Sequence, residues 1–166
     1  TFDDVYGPNL NPTHYTGPEY NQTLIPKENN VYVHDCVFRE CSSTSHGGAL
    51  YITTNNRVYK FLIEQSSFIS CRTSACYGGG IHVLGNCQSV LCRICGFNCT
   101  STQSDSYYSW GMFAHIITKN DVTYKDHVND SSITHSLIES HLPEYTLYLY
   151  NGNILCPSVN ITNNEC

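Results

Sequence analysis

The residues that could carry chemistry are carboxylates, cysteines and histidines, and their spacing decides what each set could do. Asp35, Glu40, Glu64, Asp121, Asp126, Asp130, Glu139 and Glu144 could cleave a glycosidic bond as a carboxylate pair, or hold calcium beside an arginine base. No two of them fall at equivalent points of the repeat described below, so no groove-facing pair is expected. Asp126 and Asp130 with His127 come nearest, in a stretch that reads as a solvated insertion loop. Cys92-Arg93-Ile94-Cys95 has the spacing of a redox pair or half a zinc site, but no second pair stands at the usual distance, and a structural disulfide is the simpler reading. The histidines, His14, His34, His46, His82, His115, His127, His135 and His141, are scattered. His82 and His115 fall in strand-like runs whose alternate side would face solvent. No Gly-x-Ser-x-Gly elbow marks a nucleophilic serine. The expectation is a chain that is not an enzyme, with no catalytic residue, metal or cofactor.

The remaining marked residues concern compartment. Ten cysteines, Cys36, Cys41, Cys71, Cys76, Cys87, Cys92, Cys95, Cys99, Cys156 and Cys166, are disulfide candidates of an oxidising environment, with their connectivity open. Sequons at Asn21, Asn98, Asn129 and Asn160 point the same way, to N-linked glycans and an extracellular or cell-surface location reached through the secretory pathway. Charged residues make up only 13% of the chain and the net charge is −6, so no cationic cluster exists to bind nucleic acid. No stretch approaches the length of a membrane span, and the sequence opens at Thr1 without an apolar leader. A mature or trimmed ectodomain, or a piece of a longer protein, is expected.

The elements that would position these residues are short and β-prone. Residues 1–30 hold four of the six prolines and read as an extended arm without regular pairing, with Phe2, Tyr6, Tyr15 and Tyr20 available to dock on a surface. From Val31 onward, runs such as Ala49–Ile52, Val58–Ile63, Ile81–Leu84, Phe113–Ile117 and Leu147–Tyr150 are rich in β-branched and aromatic residues and separated by Ser, Asn, Gly and Thr. Two features recur in the same order. Cys36-Val37-Phe38-Arg39-Glu40-Cys41 is echoed thirty residues later by Ser66-Ser67-Phe68-Ile69-Ser70-Cys71, and more loosely around Phe97, Leu137 and Ile161. Gly47-Gly48-Ala49-Leu50 is echoed thirty-one residues later by Gly78-Gly79-Gly80-Ile81. A chain winding once per repeat stacks equivalent residues about 4.8 Å apart. Phe38, Phe68, Phe97, Leu137 and Ile161 would then form one inward ladder, Gly47, Gly48, Gly78 and Gly79 would permit tight turns, and Cys41, Cys71 and Cys99 would occupy adjacent rungs. The expected fold is an all-β, right-handed parallel β-helix of about four to five coils over residues 31–166, preceded by the arm.

These units resemble the repeat of the polymorphic outer membrane protein family, in which a Gly-Gly-Ala-(Ile/Leu/Val) unit alternates with Phe-x-x-Asn. Phe38-x-x-Cys41 and Phe68-x-x-Cys71 carry cysteine in place of that asparagine, a form similar to the β-helix surface proteins of trichomonad protists. The resemblance implies a right-handed parallel β-helix and a surface, adhesion-associated role. An open-ended β-helix further suggests self-association head to tail in a filament, or continuation by further coils of a longer chain. The competing expectation is a carbohydrate-binding or pectate-lyase-like carbohydrate-cleaving β-helix, with Tyr107, Tyr108, Tyr148 and Tyr150 as sugar platforms.

Overall fold

The computed structural model describes residues 1–74, 77–102, 110–136 and 145–163, with the backbone alone at 54–58 and 110. Of the residues singled out above, Cys76, Tyr107, Tyr108, Leu137, Glu139, His141, Glu144 and Cys166 lie outside the described residues. Helix α1 (Phe2–Tyr6) precedes β1 (Thr13–Tyr20), β2 (Asn30–Arg39), β3 (Ser42–Ser43), β4 (Leu50–Glu64), β5 (Ser67–Ile69), β6 (Arg72–Thr73), β7 (Ile81–Cys92) and β8 (Cys95–Phe97). Then follow β9 (Thr100–Ser101), β10 (Trp110–Ile117), β11 (Lys125–Asn129), β12 (Ser132–Thr134), β13 (Tyr145–Tyr150), β14 (Asn153–Leu155) and β15 (Asn160–Thr162). Each strand pairs in parallel with its counterpart one coil away, which makes the chain a parallel β-solenoid of about four turns. Parallel strands with the chain wound around them bury one face in a closed lumen, where period-two alternation places Val31, Val33, Ile52, Phe61, Ile63, Val83, Leu91, Ile116 and Val128.

Residues 1–30 differ from the expected unpaired arm. Thr13, His14 and Tyr15 pair with Val31, Tyr32 and Val33, and after a bulge Tyr20 pairs with Phe38, so β1 is the first rung of the same sheet. Its Pro18 is compatible with pairing because an edge strand needs its hydrogen bonds on one side only. Helix α1 docks outside the sheet, where Phe2, Val5, Tyr6 and Leu10 cover Tyr32, Leu62 and Val90.

The aromatic ladder is real but its membership is corrected. Tyr20 stacks on Phe38 (ring centroids 5.0 Å, 21° between planes) and Phe38 on Phe68 (4.9 Å, 7°), contacts each worth about 0.5–1.5 kcal/mol beyond burial. The next rung is Gly96, with Phe97 turned outward and 41% exposed, followed by Ile133 and Ile161. Phe97 fails because cysteine, three residues after the ladder position in each of these coils, fixes the alignment: Phe38 to Cys41, Phe68 to Cys71, Gly96 to Cys99. The ring missing at Gly96 is supplied from the opposite wall by Phe113, which meets Phe68 edge-on at 5.6 Å. Ile133 holds the rung expected of Leu137, and Ile161 is in register yet 44% exposed, because no later coil among the described residues covers it.

Corners between strands repeat with fixed geometry. Asp35, Gln65, Arg93, Asp130 and Ser158 adopt φ between 48° and 55°, and five residues on in each coil so do Glu40, Ser70, Asn98, His135 and Asn163, at 52° to 54°. A left-handed non-glycine residue is unfavourable by roughly 1 kcal/mol. The strain is tolerated because the amide of each of several corner residues still donates to the next coil, Gln65 to Cys92, Arg93 to Asn129, Asp130 to Pro157 and Asn98 to Thr134. Ser66 and Ser131 reinforce the first corner, each hydroxyl accepting the amide of a residue one coil earlier, Cys36 or Ile94. At the third corner Gly47, Gly78 and Gly111 have φ of 66°, 65° and 68°, whereas Gly48 and Gly79 are required by contact: a Cβ at Gly48 would lie 2.1 Å from the Gly79 carbonyl oxygen.

Candidate functional site

Three polar clusters have the burial or the geometry to do chemistry. The first lies on the outer face beside α1. Register places His14 beside Tyr32 and His34 beside Glu64, and the corner residue Asp35 follows His34 directly. The Tyr32 hydroxyl donates to Glu64 Oε2, and Arg93 Nη2 donates to Glu64 Oε1 from the next corner, so a carboxylate only 6% exposed has both oxygens occupied. Burial, and then this hydrogen bond, push the Tyr32 phenol well above its usual range. Asp35 Oδ2 lies 2.9 Å from His34 Nδ1, and His34 Nε2 lies 3.1 Å from His14 Nδ1. A groove of about 620 Å³ opens beside His14 and Tyr32, with Phe2, Pro8 and Asn11 on its other walls.

The second cluster is a column of rings on the outer face of the neighbouring wall. Tyr51, His82, His115 and Tyr148 are register partners on β4, β7, β10 and β13, with centroids 5.5, 5.0 and 5.0 Å apart. The expectation that His82 and His115 face solvent is corrected: they do point away from the lumen, yet they are 1% and 3% exposed. Tyr77 and His46, carried by the glycine corners, fold over them at 4.5 Å from His115 and 4.8 Å from His82. Burial, then the neighbouring imidazoles, push His82 down to about 3 and His115 to about 4, so both are neutral near pH 7. Their Nδ1 atoms are 3.2 Å apart, one donating to the other. A cavity of about 160 Å³ remains between His46, Tyr77, His82 and Ile117.

The third cluster is inside the lumen. Asp126 was expected in a solvated loop; it lies instead on β11, paired with Ser89 of β7 and Ile154 of β14, and has no exposed surface. Alternation on β11 turns Val128 into the core and Asp126 with it. Among the described residues neither carboxylate oxygen has a hydrogen-bond partner, nor do the buried hydroxyls of Ser89 and Thr118. Gly152 keeps this corner open, since a Cβ there would sit 2.7 Å from Thr118 Oγ1 and 3.5 Å from the Asp126 Cβ. Burial pushes the Asp126 carboxyl up to about 8 and the nearby Cys87 thiol up to about 12.

The other marked residues are dispersed. The eight described cysteines are free thiols in place of the expected disulfides. Cys41, Cys71 and Cys99 do stack on consecutive coils, but each thiol donates to a carbonyl one coil earlier, of Tyr20, Phe38 and Phe68 respectively, at 3.3 to 3.5 Å. Cys92 and Cys95 flank the Arg93 corner, with Cys95 exposed. Asn21, Asn98 and Asn160 are exposed and Asn129 is half-buried. Asp130 and His135 are corner residues and Asp121 caps a turn by accepting from Thr123, so none approaches Asp126 as a second carboxylate or base. Among the described residues no three His, Cys, Asp or Glu side chains converge on a metal position. No protein-family model, no curated protein and no solved structure matches this chain.

Proposed function

We propose that the chain is an extracellular structural or adhesive glycoprotein module, a stiff β-solenoid segment that is extended by another parallel coil. One observation carries this reading. The coil formed by β13, β14 and β15 repeats the register of the coils before it, but Ile154, Leu155 and Ile161 are 44% to 47% exposed, and Leu147, Leu149, Cys156, Val159 and Ile161 line an open apolar cavity of about 580 Å³. The equivalents of Ile154 and Ile161 one coil earlier, Asp126 and Ile133, are completely buried. An apolar lumen lined at the spacing of a coil favours a coil as its cover, from a further stretch of the same chain or from a second copy stacked head to tail. Exposed sequons at Asn21, Asn98 and Asn160 suit glycans projecting from a rod.

The test is electron microscopy and sedimentation of protein secreted from a eukaryotic host. Rods or concentration-dependent oligomers that dissociate on Leu149→Glu are the expected result, and loss of mass on treatment with a peptide N-glycosidase is expected at the sequons. A monodisperse monomer indifferent to Leu149→Glu would count against stacking of copies. A longer natural chain whose next segment continues the repeat would identify the other source of the cover.

A second reading is carbohydrate binding, favoured by the row of Tyr145, Tyr148 and Tyr150 on the last coil. Tyr145 and Tyr150 are 52% and 53% exposed, and the Tyr148 and Tyr150 rings are nearly parallel, 15° apart in plane. Aromatic faces of this kind stack on sugar rings. A glycan array on which Tyr150→Ala removes all signal would favour this reading over the structural one.

A further inference from the structure

We propose that His14 and His34 form a two-imidazole site for a divalent transition-metal ion of the zinc and copper class, with Asp35 as its orienting carboxylate. The geometry is that of a chelate. With metal–nitrogen bonds of about 2.0–2.1 Å, two ligand nitrogens on one ion are about 2.9 Å apart in square geometry and about 3.4 Å apart in tetrahedral geometry. His14 Nδ1 and His34 Nε2 are 3.1 Å apart. The two rings meet nearly at right angles, 87°, with centroids at 5.3 Å.

The arrangement around this pair is that of a metal ligand's support. His34 Nδ1 lies 2.9 Å from Asp35 Oδ2, and a carboxylate can only accept, so Nδ1 carries the hydrogen and Nε2 presents a lone pair toward His14. Without metal, His14 donates its Nδ1 hydrogen into that lone pair. With metal, His14 takes its Nε2–H tautomer and both lone pairs bind the ion. Asp35 sits at the left-handed corner, φ 53°, directly after His34. Tyr32 fixes both rings: its own ring lies 5.2 Å from His14 and 4.3 Å from His34, and its hydroxyl is anchored on Glu64, which Arg93 also grips. His14 is exposed and His34 half-buried, so the ion enters from solvent, and the groove beside His14 leaves room for water or an exogenous ligand to complete its shell.

The donor set chooses the ion. Two neutral imidazoles suit zinc, copper and nickel, whereas calcium and magnesium require oxygen ligands. Sequence reasoning missed the pair because His14 lies in the segment read as an unpaired arm; only the pairing of β1 with β2 brings it to His34.

The experiment is calorimetric titration of the whole protein with zinc chloride, paired with imidazole nitrogen NMR. One equivalent of zinc is expected to bind and to shift the ring nitrogens of His14 and His34. His14→Gln and His34→Gln should each abolish binding. Asp35→Asn should weaken it about 10–100-fold, as for other carboxylates behind metal-bound histidines. His135→Gln, at an exposed histidine elsewhere, and Cys95→Ser, at an exposed thiol, should leave it unchanged. Thermal melts without metal check that each variant folds. Absence of zinc binding, or binding that survives the His14→Gln/His34→Gln double variant, would overturn the proposal.

Discussion

Asp126 and the His82–His115 pair are buried on opposite sides of one sheet, and they respond to pH in opposite directions. The histidines face outward and belong to a continuous column from Tyr51 to Tyr148, covered by Tyr77 and His46. Asp126 faces the lumen between Ser89 and Ile154, with no hydrogen-bond partner among the described residues. A neutral imidazole is accommodated by stacking, because its ring is an apolar surface as well as a polar one. A carboxylate offers no such surface and can escape ionisation only by keeping its proton. Burial favours the neutral form in both places, and the difference teaches that whether this neutral form is the protonated or the deprotonated one sets the direction of the pH response.

The largest expected effect comes from replacing Asp126. Its folded-state value of about 8 lies above the unfolded 3.8, so the folded chain binds more protons and stability falls as pH rises between those values. At pH 7 the accumulated loss is roughly 4 kcal/mol. Asp126→Val, which matches the apolar neighbours of β11, is expected to raise the urea midpoint at pH 8 by far more than at pH 5. A gain of equal size at both pH values would mean that Asp126 is ionised or hydrogen-bonded in the folded state, and the contrast with the histidines would disappear.

The histidine column should show the reverse slope. Folded values of about 3 and about 4 lie below the unfolded 6.5, so the unfolded chain binds more protons and stability drops as pH falls below 6.5. The loss is about 2 kcal/mol for each histidine at pH 5. His82→Phe preserves a ring in the column and removes the titration, and is expected to flatten the acid limb of a plot of Tm against pH. An acid limb unchanged in His82→Phe and in His115→Phe would place the titration elsewhere.

Much of this was legible in the residues, and the failures have identifiable causes. The coil itself followed from Phe38, Phe68 and the glycine units, since inward aromatics and obligatory glycines leave a mark at a fixed spacing. Alternation on β11 already implied that Asp126 shares the face of Val128, but the polar composition of Lys125–Asn129 suggested a loop, and the parallel neighbours that hold it as a strand are distant in sequence. The corners left no mark because Asp, Gln, Arg, Ser, Glu, Asn and His all occupy them; strand pairing, not residue type, enforces the left-handed turn. Coil length also varies: the first corner recurs after 30, 28, 37 and 28 residues, which blurred the spacing that would have chosen Ile133 over Leu137. Coverage of His82 by Tyr77 and His46 depends on where two corners project their side chains, a three-dimensional fact with no local signal.

The smallest expected effect tests the rung where the aromatic ladder breaks. Phe113 fills the space that a side chain at position 96 would take, and a Cβ on Gly96 would lie 2.6 Å from Phe113 Cε2. Gly96→Ala therefore overpacks the lumen and is expected to lose about 1–3 kcal/mol. Phe113→Leu alone leaves a void beside Phe68 and also destabilises, but the double variant should recover part of the loss, because each change relieves the strain or fills the space created by the other. A coupling energy of about 0.5–3 kcal/mol in the resulting double-mutant cycle is expected. Strictly additive losses would mean that the two positions do not share one space. The polar contrast above would then have to be read against a core whose opposite walls pack independently, with Asp126 free to relax without disturbing the ladder.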